Sequence, residues 1–110
     1  MEVTIEQREY VRRLLDAYCA TPGTAGVVRR PDRLLAAQLH ERGVPLETAA
    51  NALVLAAIRR LARRDDAPPL GTIRSLAYFL PVIEEVLQMT VSPEYFQHAR
   101  RKLERVISAR

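Results

Sequence analysis

Proline and glycine cut this chain into segments within which apolar residues return every three or four positions, and that pattern limits the fold more than any other feature. Seven prolines and four glycines are spread over 110 residues. A recurrence near 3.6 residues lays one apolar stripe along a helix, whereas a half-buried strand needs strict alternation bounded by hairpin turns. No sustained alternating stretch of that kind is present. The expectation is an all-α, compact single-domain bundle covering residues 1–110, with five helices, or six if the fourth segment divides.

The first helix is expected to open with Thr4 as N-cap and Gln7 at the reciprocal position of a capping box. Val11, Leu14, Leu15 and Tyr18 form its stripe, and Pro22 and Gly23 stop it near Thr21, where "TPGTAG" reads as a mobile turn. Pro31 and Asp32 suit the first turn of a second helix, from about Pro31 to Arg42. Leu34, Leu35 and Leu39 supply its buried side and Gly43 its left-handed end. A third helix runs from Pro45 to about Arg64, before "DDAPPLG" breaks it. Ile73, Leu76, Leu80, Ile83 and Leu87 keep helical spacing through a fourth segment. Pro81 lies inside it and cannot donate to the Ala77 carbonyl, so the helix either kinks there or splits with Pro81 opening the second piece. Ser92 and Pro93 cap the last helix, with Glu94 at its positive end and Phe96, Ala99, Leu103 and Val106 as its stripe. Tyr95 and Ile107 lie alongside.

The third segment contains "NALVLAAIRRLARRDD". Leu53, Val54, Ile58 and Leu61 share one side of a helix, while Arg59, Arg60, Arg63 and Arg64 share the other. In the preceding turns the arginine side carries Ala49, Ala52 and Ala56, small enough to let a neighbouring backbone approach. The segment therefore reads as a core helix with a cationic exit. A helix-turn-helix reading of "AAQLHERGVPLETAANAL" is less favoured, because outward early positions must offer polar groups to base edges, and Glu47 would face phosphates. A membrane-surface helix ranks last: there is no tryptophan, aromatics make up 5% of the residues, and no apolar run approaches the roughly 20 residues that span a bilayer.

Composition narrows the function classes. A hydrophobic share of 48% is enough for one core without metal or disulfide. Cys19 is alone, so no intramolecular disulfide forms, which suits a reducing cytoplasm. The net charge of +4 lies wholly in residues 56–110, with ten basic and six acidic side chains, and a basic field favours polyanions. Sixteen of the seventeen basic residues are arginine, which a GC-rich genome also produces without selection for binding. His40 and His98 read as solvated surface residues, Cys19 has no neighbouring base, and no cluster has metal-ligand spacing. Glu84 and Glu85 point different ways from one helix, and the glycines form no phosphate-cradling loop. The expectation is a non-enzymatic protein with no cofactor, no metal, no small-molecule substrate and no membrane contact.

Two features remain. Arg59, Arg60, Arg63 and Arg64, with Arg100, Arg101, Lys102 and Arg105 of "ARRKLERVISAR", are candidate nucleic-acid contacts if the two helix ends meet; the alternative is a solvated face balanced by Asp65, Asp66 and Glu104. Tyr78, Phe79 and Val82 fall outside the stripe of the fourth segment. They mark a surface for a protein partner or a second copy, or the second buried face of a central helix.

"LHERGVPLETAANALVLAAIRRL", a proline-rich loop and "IRSLAYFLPVIEEVL" together resemble the helical module of DnaD-like replication-initiation and helicase-loading proteins of bacteria, plasmids and phages. The likeness covers about residues 39–87, and the tryptophan that often closes that family's pattern is missing. It implies DNA-associated, self-assembling behaviour, with Tyr78 and Phe79 as packing positions. The leading expectation is therefore a module that binds DNA phosphates non-specifically within a replication or mobile-element assembly. The alternatives are an interaction or oligomerisation module without nucleic acid, and a small helical subunit of a ribonucleoprotein complex that meets RNA.

Overall fold

A computed structural model describes residues 5–63, 66–89 and 93–108 of the chain. At its centre lies α3 (Leu46–Leu61), which packs against α1 (Ile5–Ala20), α4 (Leu80–Gln88) and α5 (Pro93–Ser108). Its alanines permit this: Ala49, Ala52, Ala56 and Ala57 are all buried, together with Leu53 and Leu55. Small side chains on several faces let three helices come close, and leucines fill the gaps between them.

α1 pairs with α2 (Arg30–Glu41). The Gln7 side-chain amide donates to the Ala37 carbonyl at 3.4 Å, and the Tyr10 ring meets His40 edge-on, centroids 5.1 Å apart. His40 is thus half-buried against an aromatic ring and not the solvated surface histidine expected, whereas His98 is exposed. Thr4, the expected cap of α1, and Ser92, that of α5, lie outside the described residues. In α2 the buried positions are Asp32, Ala36 and Leu39, while Leu34 is exposed. Leu35 is half-buried against the core, so the buried side is centred on Ala36 and Leu39 and Leu34 falls outside it.

The fourth segment splits. Residues Leu76–Phe79 form a 3₁₀ turn, and α4 follows from Leu80 with Pro81 in its first turn. Proline there costs no hydrogen bond, since the first amides of a helix have no intrahelical acceptor. Ile73, expected on the same helix, is extended instead and forms an isolated bridge with Thr24. Its N–H donates to the Gly23 carbonyl at 2.7 Å and its carbonyl accepts from Ala25 at 2.9 Å. The turn after α1, expected to be mobile, is therefore fastened to the segment before the 3₁₀ turn. With the helix starting later, Ile83 and Val86 become its buried pair and Leu87 turns outward. Apart from that bridge, no strand occurs among the described residues.

Phe79 is fully buried and meets Tyr18 edge-to-face, centroids 6.1 Å apart, at the junction of α1, α2 and the 3₁₀ turn. No described helix is long and apolar enough to cross a membrane.

Candidate nucleic-acid interface

α3 ends at Leu61, short of the expected Arg64, so its periodicity places Arg59 and Arg60 on the side away from Leu53 while Arg63 lies in the turn just beyond the helix. The segment after α3 folds back over this side, so Arg59 and Arg60 meet α4 and the 3₁₀ turn while staying partly open to solvent. Ala56, Arg59, Arg60, Arg63, Leu70, Tyr78 and Val82 line one cleft of about 310 Å³. Two groups that the sequence left separate, the α3 arginines and the Tyr78–Val82 patch, are thereby brought together.

Within the cleft the three cations differ. Arg59 holds Glu85 of α4 in a two-pronged ion pair, Nη1 to Oε2 at 2.7 Å and Nη2 to Oε1 at 2.5 Å. That contact holds the Glu85 carboxyl below its ordinary pKa and raises that of Arg59. Both side chains are about half exposed, so solvent weakens the pair.

Arg60 is a clamp. Its Nη2 donates to the Gly71 carbonyl at 2.9 Å and its Nη1 to the Tyr78 hydroxyl at 3.2 Å, and its guanidinium carbon lies 5.7 Å from the centre of the Tyr78 ring. The same guanidinium stands beside Gly23, where an added β-carbon would lie 3.1 Å from Nε and 3.3 Å from Nη2. One side chain thus joins the segment before the 3₁₀ turn to Tyr78 and crowds the turn after α1.

Arg63 is half-buried and lines both this cleft and an adjoining hollow of about 330 Å³ bordered by Pro22, Gly23 and Pro68. It has no ion pair among the described residues. Arg64 and Asp65 lie outside the described residues.

On α5, Arg100 turns inward and donates to the Asn51 side-chain oxygen of α3. Both are shielded from solvent, which makes this contact part of the α3–α5 packing. Arg101, Lys102 and Arg105 are exposed and, among the described residues, unpaired. Arg101 and Arg105 flank a hollow lined only by α5, with His98, Glu104 and Ser108. The two basic clusters do not share a cleft. The single surface expected if the two helix ends meet is therefore not formed: Pro22 borders both the hollow at the exit of α3 and a groove that reaches Arg100 and Ile107 of α5, but Arg101, Lys102 and Arg105 line neither.

Of the expected partner-binding residues, Tyr78 is 45% exposed and Val82 half-buried, while Phe79 is removed from that role. Its ring is fully buried, because the 3₁₀ turn points it into the core and leaves its neighbour outside. Val106, expected in the α5 stripe, is exposed as well, with Tyr95 and Ile107. Among the described residues no group of three His, Cys, Asp or Glu side chains could hold a metal ion.

Compared with known proteins, the chain matches no family model, no curated protein and no solved structure.

Proposed function

We propose that this chain is a non-enzymatic module that holds nucleic acid, DNA first, by its phosphates within a replication or mobile-element assembly. The observation that carries the reading is the division of labour among its cations. Arg59, Arg60 and Arg100 are engaged by Glu85, by Gly71 and Tyr78, and by Asn51. Arg63, Arg101, Lys102 and Arg105 keep their charge uncompensated by any ion pair among the described residues. Phosphate contacts of this kind position a duplex without reading its bases. The resemblance of residues 39–87 to DnaD-like modules supports the choice of DNA over RNA.

The test is a titration of labelled duplex DNA, single-stranded DNA and RNA at two ionic strengths. With four phosphate contacts, log affinity for duplex should fall against log salt with a slope of about −3 to −4. A variant with Arg63, Arg101, Lys102 and Arg105 all changed to glutamine should lose most of the affinity and flatten that slope. Unchanged binding by this variant overturns the proposal.

A further inference from the structure

A second surface lies on the far pair of helices. Gln7, Arg8, Val11, Arg12, Leu15 and Asp16 of α1, with Arg33 and Ala37 of α2 and Val28 before it, border a groove of about 430 Å³. On α1 the lining positions 8, 11, 12, 15 and 16 follow helical spacing, so the groove runs along the helix. The eight steps from position 8 to position 16, at 1.5 Å each, give it a length of about 12 Å, or two helical turns. Its floor is aliphatic, made of Val11, Leu15, Val28 and Ala37, and its volume falls within the range of sites that accept a ligand.

The rim is basic. Arg8 and Arg33 are exposed and form no ion pair among the described residues. Arg12 already binds Glu9 at 2.5 Å and Asp16 at 3.3 Å, which fixes its side chain and leaves Asp16 compensated. A visitor therefore meets two unspent guanidinium groups around an aliphatic trough. A duplex that met these two guanidinium groups by its phosphates would leave the aliphatic trough between them uncovered.

We propose that the α1–α2 groove docks an acidic amphipathic helix of a partner protein, its apolar residues in the trough and its carboxylates on Arg8 and Arg33. A helix laid in a groove places anchors at i, i+4 and i+7, a spacing that two turns of trough can hold. Charge at the rim sets partner choice and association rate, and the aliphatic floor supplies the burial. This surface shares no residue with the proposed phosphate contacts, so either reading can fail alone.

The probe is a fluorescein-labelled helical peptide of about 16 residues with leucine at those anchor spacings and glutamate between them. Two control peptides carry the same composition with the leucines scrambled, and lysine in place of glutamate. Anisotropy with the full chain should give saturable micromolar binding of the first peptide and at least about tenfold weaker binding of both controls. Amide signals of Val11, Val28 and Ala37 should shift on titration. Changing Arg8→Glu and Arg33→Glu together should weaken binding at least about tenfold, with helical content unchanged because both side chains are exposed. No saturable binding, binding indifferent to the double change, or movement of the same amides by DNA instead of the peptide overturns the proposal.

Discussion

The carboxylate of Asp32 accepts the Leu76 N–H at 2.9 Å, joining positions 44 residues apart. Its other oxygen accepts the Arg29 N–H, also at 2.9 Å, and so closes the first turn of α2. One buried side chain thus caps a helix and anchors the start of the 3₁₀ turn. Replacing Asp32 with alanine strands the Leu76 N–H in the interior and leaves the part-buried Arg29 N–H without its acceptor. Such a change should cost about 2–4 kcal/mol, from hydrogen bonds to a charged acceptor and the desolvation of unpaired amides. Asp32→Asn should also destabilise, since one of its two contacts would then set an amide N–H against a backbone N–H. Urea unfolding of both variants checks this.

Tyr78 and Phe79 are neighbours with opposite fates. Phe79→Ala opens a cavity against Tyr18 and should cost about 3–5 kcal/mol. Tyr78→Ala should leave the core intact and lose only the contacts with Arg60, costing about 1–2 kcal/mol. Thermal melts of the two variants should differ by more than 5 °C, roughly what about 1–2 kcal/mol of difference gives at this size.

If the chain holds DNA as proposed, the Glu85 pair keeps Arg59 from serving as a further phosphate contact. Glu85→Gln frees that guanidinium and should tighten DNA binding at neutral pH by up to about fivefold, the scale of one exposed ionic contact. A fluorescence titration reads the change, and weaker binding would contradict it.

The same pairs set an acid response. Arg12 and then Arg13 hydrogen-bond Glu9 and lower its pKa from 4.5 to about 2, and Arg59 lowers that of Glu85. A carboxyl whose folded pKa is depressed adds stability above its unfolded value, and that stability fades as pH falls through the folded value. Both pairs therefore hold at neutral pH and weaken only below about pH 4.5. Carboxyl resonances followed by NMR should place the Glu9 midpoint near 2 and that of Glu85 under 4.5.

Tyr18 is fully buried, and its hydroxyl finds no hydrogen-bond partner among the described residues. Tyr18→Phe keeps the edge-to-face contact with Phe79 and removes a group whose desolvation is uncompensated. The variant should be as stable as the parent or more so by up to about 1 kcal/mol in denaturant unfolding.

Periodicity made most of the architecture legible. Ala49, Ala52 and Ala56 marked α3 as a helix approached on more than one face, and Pro81 marked the point where the fourth segment divides. Long-range pairing stayed hidden. Asp32 reads locally as a charge suited to a helix start, and its second partner lies far along the chain. Ile73 keeps helical spacing with Leu76 and Leu80, yet the Gly23 carbonyl draws it into an extended bridge. The arginines of α3 were visible as a charged face, but not their individual engagements, because these depend on how residues 66–79 fold back. Arg60 gave no signal that set it apart from Arg59 or Arg63.

Gly23 holds a positive φ of 93° beside the Arg60 guanidinium, and the two positions are consequently interdependent. A methyl group at 23 would push on the arginine as well as strain its own backbone, so Gly23→Ala should loosen the far ends of two loops at once. Shortening residue 60 relieves the crowding but not the backbone strain. A cycle of single and double replacements should therefore show less than additive damage, with a residual cost set by the left-handed backbone that the bend leaving the first helix keeps whatever the third helix gives up.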